Sequence, residues 1–197
     1  PRILQELINA RSKQHFDIVV IPGAEIPKEL DEFSKEVYII RGLPTEDRTL
    51  EAADINDAQS AIILTDPTLQ PDDADAKVLM ITLAVETLSP SVYTCAQLMN
   101  SENTIHLMRA NVDEVVPFDV IGANLSVASA VNPGITRLFR ELIHFDDGSE
   151  FYKLAPPIPS VLVGKSFKDA LNWFAERDMI LIGVESTELR DSYQTIN

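Results

Sequence analysis

Two groups of acidic residues are the side chains in this sequence most suited to chemistry, and that chemistry would be cation binding. They are, in chain order, Asp72, Asp73, Asp75, Asp146, Asp147 and Glu150. Hard cations such as calcium take six to eight oxygen ligands from convergent carboxylates and carbonyls. Neither group has the spacing of an EF-hand loop, and the first turn of a helix favours acidic residues without any ion. The sequence therefore favours a helix start and a solvated turn over two cation sites.

Motifs for phosphate binding and for catalysis do not occur in the sequence. It contains no G-x-G-x-x-G and no G-x-x-x-x-G-K-[ST], so the cradle of backbone amides that holds a pyrophosphate is missing. The three histidines, His15, His106 and His144, have no metal-site spacing. No serine lies in a nucleophile-elbow sequence. We therefore predict that the chain is not an enzyme.

The overall composition limits the partners of this chain. Its 197 residues are 45% hydrophobic and 24% charged, which is typical of a folded globular chain. A formal net charge of −15 repels nucleic acid and anionic lipid headgroups, so both are disfavoured as partners. The single cysteine, Cys95, lies in an apolar stretch, which favours a buried structural thiol over a nucleophile.

The elements that would position any site are predicted from a regular alternation of patterns. Stretches with the period of a helix alternate with short β-branched runs, which is typical of βαβ units and a parallel sheet. The predicted strands span 18–21, 37–40, 61–64, 92–95 and 114–116. Each is a solid apolar run, as expected when helices cover both faces of the sheet. The predicted fold class is therefore α/β, a Rossmann-like parallel sheet flanked by helices.

The predicted helices complete this alternation. They span 1–13, 27–35, 72–88 and 101–110, and a further helix begins at Thr45. Thr45 is the expected N-cap of its helix, because its hydroxyl can accept a hydrogen bond from the first turn. A doubly wound sheet normally begins with a strand and a glycine loop, whereas this sequence opens on a helix. The first strand is therefore expected to be missing.

From about residue 119 the pattern changes to consecutive helices. We predict helices at 120–131 and 134–145, divided by Asn132-Pro133-Gly134. The second helix has an apolar stripe too wide for one small core, formed by Ile135, Leu138, Phe139, Leu142 and Ile143. A helical hairpin of this kind either packs on a partner or covers its own domain, and both alternatives stay open.

The last part of the sequence predicts an incomplete second unit. A strand-like stretch at 150–154, a helix at 166–177 and a strand at 179–186 begin a partial α+β C-terminal lobe. The predicted division of the chain is a Rossmann-like subdomain at 1–118, a helical crossover for dimerisation at 119–148 and the partial lobe at 149–197.

The order of these parts resembles the RCK domains, the regulators of potassium conductance that are also called TrkA-type domains. Two stretches carry the resemblance, VYIIRGLPTEDRTLEAADINDAQSAIILTD and VYTCAQLMNSENTIHLMRANVDEVVPFDVIGANLSVASAV. The tail, NPGITRLFRELIHFDDGSEFYKL with VGKSFKDALNWF, resembles the Castor/Pollux-like branch of ion channels and related prokaryotic potassium channels. No single motif is decisive, but their order and spacing make the resemblance fairly specific.

The resemblance implies a regulatory function. RCK domains form the cytosolic gating ring of a potassium channel, where they sense a small ligand or ion and couple it to pore opening without catalysis. The implied partners are further copies of the chain, as a dimer and a higher ring, and the pore-forming membrane domain. The implied location is the cytoplasmic face of the cell membrane. The alternatives are a nucleotide-binding regulatory subunit of a Trk/Ktr-type potassium transporter and a dinucleotide-dependent oxidoreductase.

The resemblance also implies a nucleotide cleft. The residues at its cofactor-binding positions are Gly42, Thr45, Thr65 and Asp66. The implied cofactor is NAD or another adenine nucleotide. Leu43 stands where the family commonly has an acid, and Pro22-Gly23-Ala24 replace the acidic residue that would hold a ribose hydroxyl. Only weak binding of NAD is therefore expected.

A divalent cation such as calcium is the second implied ligand. Calcium-gated relatives have a carboxylate at the start of the helix after the fourth strand, and Asp73 matches that position. Their other two carboxylates correspond to Gln97 and Met99, and a thioether cannot serve a hard cation. The resemblance thus implies Asp73 as a metal ligand and leaves the rest of the calcium site in doubt.

Overall fold

Parallel β-strands alternate with helices along the first of two compact units, Pro1–Phe151 and Tyr152–Asn197. The computed structural model describes residues 2–11, 15–23, 26–144, 151–154 and 158–184. The α/β class predicted from the alternation is confirmed. The three-part division predicted from the sequence stays a prediction.

The elements have the following bounds. The strands are β1 (Val19–Val20), β2 (Tyr38–Ile39), β3 (Ser60–Ile63), β4 (Tyr93–Leu98) and β5 (Glu114–Pro117). The helices are α1 (Arg2–Arg11), α2 (Asp47–Ala52), α3 (Pro71–Leu88), α4 (Thr104–Arg109), α5 (Phe118–Val131), α6 (Ile135–Ile143) and α7 (Phe167–Ala175). Short 3-10 turns occupy Lys28–Phe33, Ile55–Asp57, Ser101–Asn103 and Ser160–Leu162. In the described part of the chain, no helix is long and apolar enough to cross a membrane.

The strands form two parallel sheets instead of the single sheet that the sequence predicted. β1 pairs with β2, and β3, β4 and β5 pair in that order. Among the described residues, no strand pairs with the second edge of β1 or of β3. In a doubly wound sheet the first strand lies between the strands that correspond to β1 and β3.

The main core lies between α3 and one face of the sheet β3–β4–β5. Its buried hydrophobic residues are Leu50, Ile55, Ile63, Val78, Val85, Val92, Ala96, Leu98 and Leu107. On β4 the side chains alternate, so that Thr94, Ala96 and Leu98 are buried beneath α3. The opposite face is only partly covered, since α5 contacts β4 and β5 while Ile62 on β3 is 44% exposed. The prediction of full cover on both faces is therefore wrong for β3.

Several element boundaries differ from the predictions. Thr45 is not an N-cap, because α2 begins at Asp47 and Glu46 holds the N-cap position. The cause is a turn in which the Glu46 amide donates to the carbonyl of Leu43 at 3.0 Å. This turn places Thr45 at its centre and delays the helix.

The predicted strands of the C-terminal lobe do not form in the described residues. Residues 151–154 and 179–184 contain no strand. A strand needs a hydrogen-bonding neighbour, and the described part of this unit offers none. Its helix α7 does form, with a capping box between Ser166 and Asp169. Only Phe174 of this helix is buried.

A pair of substitutions on α4 tests this assignment of the core. Leu107 is 1% exposed and Ile105 is 48% exposed on the same short helix. Leu107→Ala should lower the free energy of unfolding by about 2–5 kcal/mol, because it leaves a cavity in the core. Ile105→Ala should change it by less than about 0.5 kcal/mol. Urea denaturation followed by circular dichroism measures both, and equal losses would contradict the packing described here.

Candidate functional site

The candidate site is the carboxyl edge of the parallel strands, meaning the loops that follow β1 to β4. Ligands of open α/β sheets bind at this edge, where the strand ends and helix starts meet. All the sequence-predicted ligand residues fall on these loops or on the first turn of α3. They are Gly42, Thr45, Thr65, Asp66 and Asp73.

Gly42 is fixed by close packing at the end of β2. Its φ is +151°, and a Cβ at this position would lie 2.3 Å from the Thr49 hydroxyl oxygen. Gly42 also pairs with Gly23 in an isolated antiparallel bridge, and Gly23 has a φ of +93°. A backbone contact therefore joins the loops that follow β1 and β2. It involves Gly23, which belongs to the segment that replaces the ribose-binding acid. Thr45 is half-buried in the turn that follows.

Thr65 ties the end of β3 to the neighbouring strand. Its backbone amide donates to the side-chain oxygen Oε1 of Gln97 at 3.3 Å. Sequence reasoning considered Gln97 only as a missing carboxylate. In the structure Gln97 holds two strand ends together at the carboxyl edge.

Asp66 is engaged through both of its carboxylate oxygens. Oδ1 accepts from the Thr68 hydroxyl at 2.6 Å and from the Thr68 amide at 3.1 Å, and Oδ2 accepts from Nζ of Lys77 at 3.0 Å. The Thr68 hydroxyl, followed by the Lys77 ammonium, lowers the pKa of Asp66 to about 2. Asp66 therefore secures the loop before α3, in part through an ion pair with the half-exposed Lys77.

Asp75 is a buried carboxylate that sequence reasoning missed. It is 3% exposed, and it accepts hydrogen bonds from the amides of Met99 and Asn100 at 2.9 and 3.0 Å. The side-chain amide of Asn103 donates a third bond at 2.9 Å. The signal was present in the sequence, because Asp75 belongs to the buried stripe of α3 that continues through Val78, Thr82 and Val85.

Asp119 is a second carboxylate whose role the sequence did not show. From the first turn of α5, its Oδ2 accepts from the Ser101 amide at 3.0 Å and from the Ser101 hydroxyl at 2.7 Å. These bonds hold the pKa of Asp119 below its usual value. The loop that follows β4 is thus bonded to carboxylates from two different helices.

Asp73, the predicted metal ligand, is exposed in the first turn of α3. Within the described ranges, no three His, Cys, Asp or Glu side chains converge as a metal site. A cavity of about 260 Å³ lies nearby between α3 and α4, with Asp72, Asn103 and His106 among its polar lining residues. The cation site at Asp73 stays a prediction.

The helices α5 and α6 form a helical hairpin, residues 118–143, that contains no buried residue. Of the four predicted interface residues, Leu138 and Phe139 are 53% and 45% exposed, and Ile135 and Leu142 are half-buried. Further large apolar side chains of the hairpin are exposed: Phe118, Val120, Ile121, Val127, Val131 and Ile143.

Comparison with known proteins finds a family model that matches part of the first unit. Residues 2–96 match the family model described as the calcium-activated potassium channel slowpoke-like RCK domain. The resemblance read from the sequence is thereby confirmed, and the matched residues include the loops that follow β1, β2 and β3.

One relative and two solved structures extend the comparison beyond the matched residues. The calcium-gated potassium channel TvoK of Thermoplasma volcanium is 27% identical over 150 residues, which are 75% of this chain and 42% of the relative. The chain therefore spans less than half the length of that relative. The human SLO3 gating ring is 16% identical, with 74% of this chain and 26% of that chain covered and a TM-score of 0.55.

The second solved structure is the GsuK protein bound to ADP. It is 16% identical to this chain, with 81% of this chain and 44% of that chain covered and a TM-score of 0.54. At this identity the two solved structures show that the RCK fold is shared.

The titration of Asp66 tests the hydrogen bonds around the loop before α3. A depressed pKa means that these bonds stabilise the fold above the pKa of the unfolded chain, and that this stabilisation is lost as the pH falls through about 2. Thr68→Ala removes the largest cause and should raise the pKa of Asp66. Carboxyl-detected NMR titration measures both values. An unchanged pKa in Thr68→Ala would show that the Thr68 hydroxyl does not bond to Asp66.

Proposed function

We propose that this chain is a regulatory element of a potassium channel, which assembles with copies of itself and transmits the binding of a small ligand to a pore. The observation that carries the proposal is the helical hairpin 118–143, unburied and apolar, which follows the residues that match the RCK family model. The similarity to the channel TvoK and to the SLO3 gating ring supports the same function. We propose a non-catalytic role, since sequence and site offer binding groups and no catalytic constellation.

The hairpin has the properties of an interface between subunits. A helix with no buried residue gains little from packing in its own chain, and a contiguous apolar surface marks a partner site. Leu138 and Phe139 lie side by side on α6, with Ile143 one turn further along. Burying an apolar side chain of this size stabilises an association by roughly 1.5–3 kcal/mol.

A ring requires a second interface, and α3 with α4 provides a suitable surface. A single self-complementary surface closes a dimer, whereas a larger assembly needs a second surface. Large apolar side chains are exposed on both helices: Met80, Leu83, Ile105 and Met108. These residues lie apart from the hairpin in sequence, so the first unit offers two surfaces of the kind that a ring uses.

The net charge opposes this assembly and limits how it can form. Each copy carries −15, so copies repel one another at low salt. The hairpin contributes two positive groups on α6, Arg137 and Arg140, to an otherwise acidic chain. Apolar contact must therefore provide the attraction, and the interface is expected where the local charge is least negative.

The ligand is proposed to bind at the carboxyl edge. One candidate class is an adenine nucleotide, supported by the ADP bound to the GsuK protein and by the half-exposed Lys77 next to the loop 65–68. The other is a divalent cation at Asp73, supported by the similarity to TvoK, a calcium-gated channel. The nucleotide is favoured here because Gln97 and Met99 supply no carboxylate for a cation.

The interface assignment is tested by a charge placed in the hairpin. Leu138→Asp should disrupt assembly through the hairpin and lower the mass of the assembled chain at micromolar concentration, because a carboxylate cannot be buried unpaired in an apolar contact. Val163→Asp is the matched control, since it adds the same charge at another exposed apolar residue outside the hairpin. Light scattering gives the mass. A monomeric wild-type chain, or an assembly that Leu138→Asp leaves intact, would refute the proposed interface.

The ligand class is tested by calorimetric titration with ADP, NAD and calcium chloride in turn. NAD is expected to bind more weakly than about 100 μM, because the sequence lacks the glycine loop that holds a pyrophosphate. Lys77→Met should weaken the binding of ADP further and leave calcium unaffected. Low-micromolar binding of NAD would contradict the expectation of weak NAD binding. Binding of calcium, without binding of ADP or NAD, would contradict the nucleotide proposal and support the cation instead.

A further inference from the structure

We propose that the loop 99–103, which follows β4, mechanically couples the first turns of α3 to the hairpin 118–143. The β4–α4 loop, as we call it, is bonded to Asp75 from α3 and to Asp119 from α5. Movement at the carboxyl edge and movement of the hairpin are then linked through this loop. The physiological consequence rests on the proposed function, whereas the coupling itself is a property of the chain alone.

On the α3 side the connection is a buried anion with all its bonds to one loop. Asp75 accepts from the amides of Met99 and Asn100 and from the side chain of Asn103. Hydrogen bonds to a carboxylate are stronger than neutral ones, and a carboxylate that is 3% exposed is costly to leave without them. The first turns of α3 and the β4–α4 loop should therefore move as one body.

On the α5 side the connection consists of two hydrogen bonds between Asp119 and Ser101. Among the described residues, no other side-chain hydrogen bond joins the loop to the hairpin. Asp119 accepts from the amide and the hydroxyl of Ser101. α5 has no buried residue to fix its position, although it contacts β4, β5 and the turn Ser101–Asn103. The two directed bonds at its first turn therefore tie the start of this helix to the β4–α4 loop.

The two connections are too close in the chain to act independently. Three successive amides, those of Met99, Asn100 and Ser101, point to carboxylates on two different helices. Adjacent Cα atoms are about 3.8 Å apart, so a shift of one amide displaces the next. If α3 moves by a fraction of that distance, either α5 follows or the bonds between Asp119 and Ser101 break.

The coupling connects the proposed ligand residues with the proposed interface. Asp73 lies in the first turn of α3, and Lys77 bonds to Asp66 from a position two residues after Asp75. A ligand that displaces these groups would move the Asp75 carboxylate and, through the β4–α4 loop, the hairpin. Such couplings typically change an affinity by roughly 5- to 150-fold.

The experiment compares amide hydrogen exchange in variants at the two ends of the coupling. Asn103→Ala removes one bond to Asp75, and Asp119→Ala removes both bonds to Ser101. All measurements use the Leu138→Asp background without ligand, so neither assembly through the hairpin nor ligand binding contributes. Asp47→Ala, which removes an exposed first-turn carboxylate from α2, is the matched control.

If the two connections are coupled, a substitution at one end should change hydrogen exchange at the other end. The effects of the two substitutions should also be less than additive in the double variant. Asn103→Ala should raise the exchange rate of residues 119–131 by about threefold or more although it does not touch α5, and the double variant should exceed the larger single effect by less than about twofold. The control should change neither segment. The proposal is overturned if Asn103→Ala accelerates only residues 99–103, or if the two effects multiply as independent sites do.

The outcome is separate from that of the proposed function. A coupled chain whose wild type never assembles would refute the gating-ring proposal and leave the coupling established. An assembling chain with purely local exchange effects would refute the coupling and leave the proposed function in place.

Discussion

The burial of the Asp75 carboxylate is the constraint on which the carboxyl edge of this molecule depends. The packing of α3 on the sheet places this side chain in the core with Val78, Thr82 and Val85. Because a buried carboxylate is costly to leave without hydrogen bonds, the bonds from the amides of the loop after β4 hold the two elements together. These bonds set the position of Ser101, which in turn receives Asp119 and fixes the start of the hairpin. Two acidic residues, Asp75 and Asp119, thus join α3, the loop after β4 and α5.

Much of the fold could be predicted from the sequence, because the periods of helix and strand are properties of neighbouring residues. The boundaries of the helices were harder to predict than their existence. Thr45 is an example, because a backbone turn between Leu43 and Glu46 delays the start of α2. The strand predicted over 179–186 is absent from its described part, 179–184, because strand formation depends on a neighbour that the local pattern does not contain. Which strands pair with one another is therefore the part of the fold that a single sequence predicts least well.

The candidate site could be predicted as a location but not as a set of contacts. The sequence placed Gly42 and Asp66 at strand ends, and they lie there. It could not show that Thr49 packs against Gly42 or that Lys77 bonds to Asp66, because these contacts join residues through the fold. The crowding of acids at the start of α3 makes Asp75 resemble an ordinary first-turn acid, although its place in an apolar helical stripe distinguishes it from Asp72 and Asp73.

The function proposed here combines a strongly acidic chain with an apolar hairpin, and its central claim is that this hairpin transmits regulation to a potassium pore. Potassium flux into vesicles that contain the protein expressed from its full reading frame tests the claim most directly. The account predicts that Leu138→Asp abolishes the dependence of the flux on added ligand, whether ADP or calcium, while Val163→Asp preserves it. Ligand-dependent flux that is unchanged by Leu138→Asp, or the absence of any potassium flux, would contradict it.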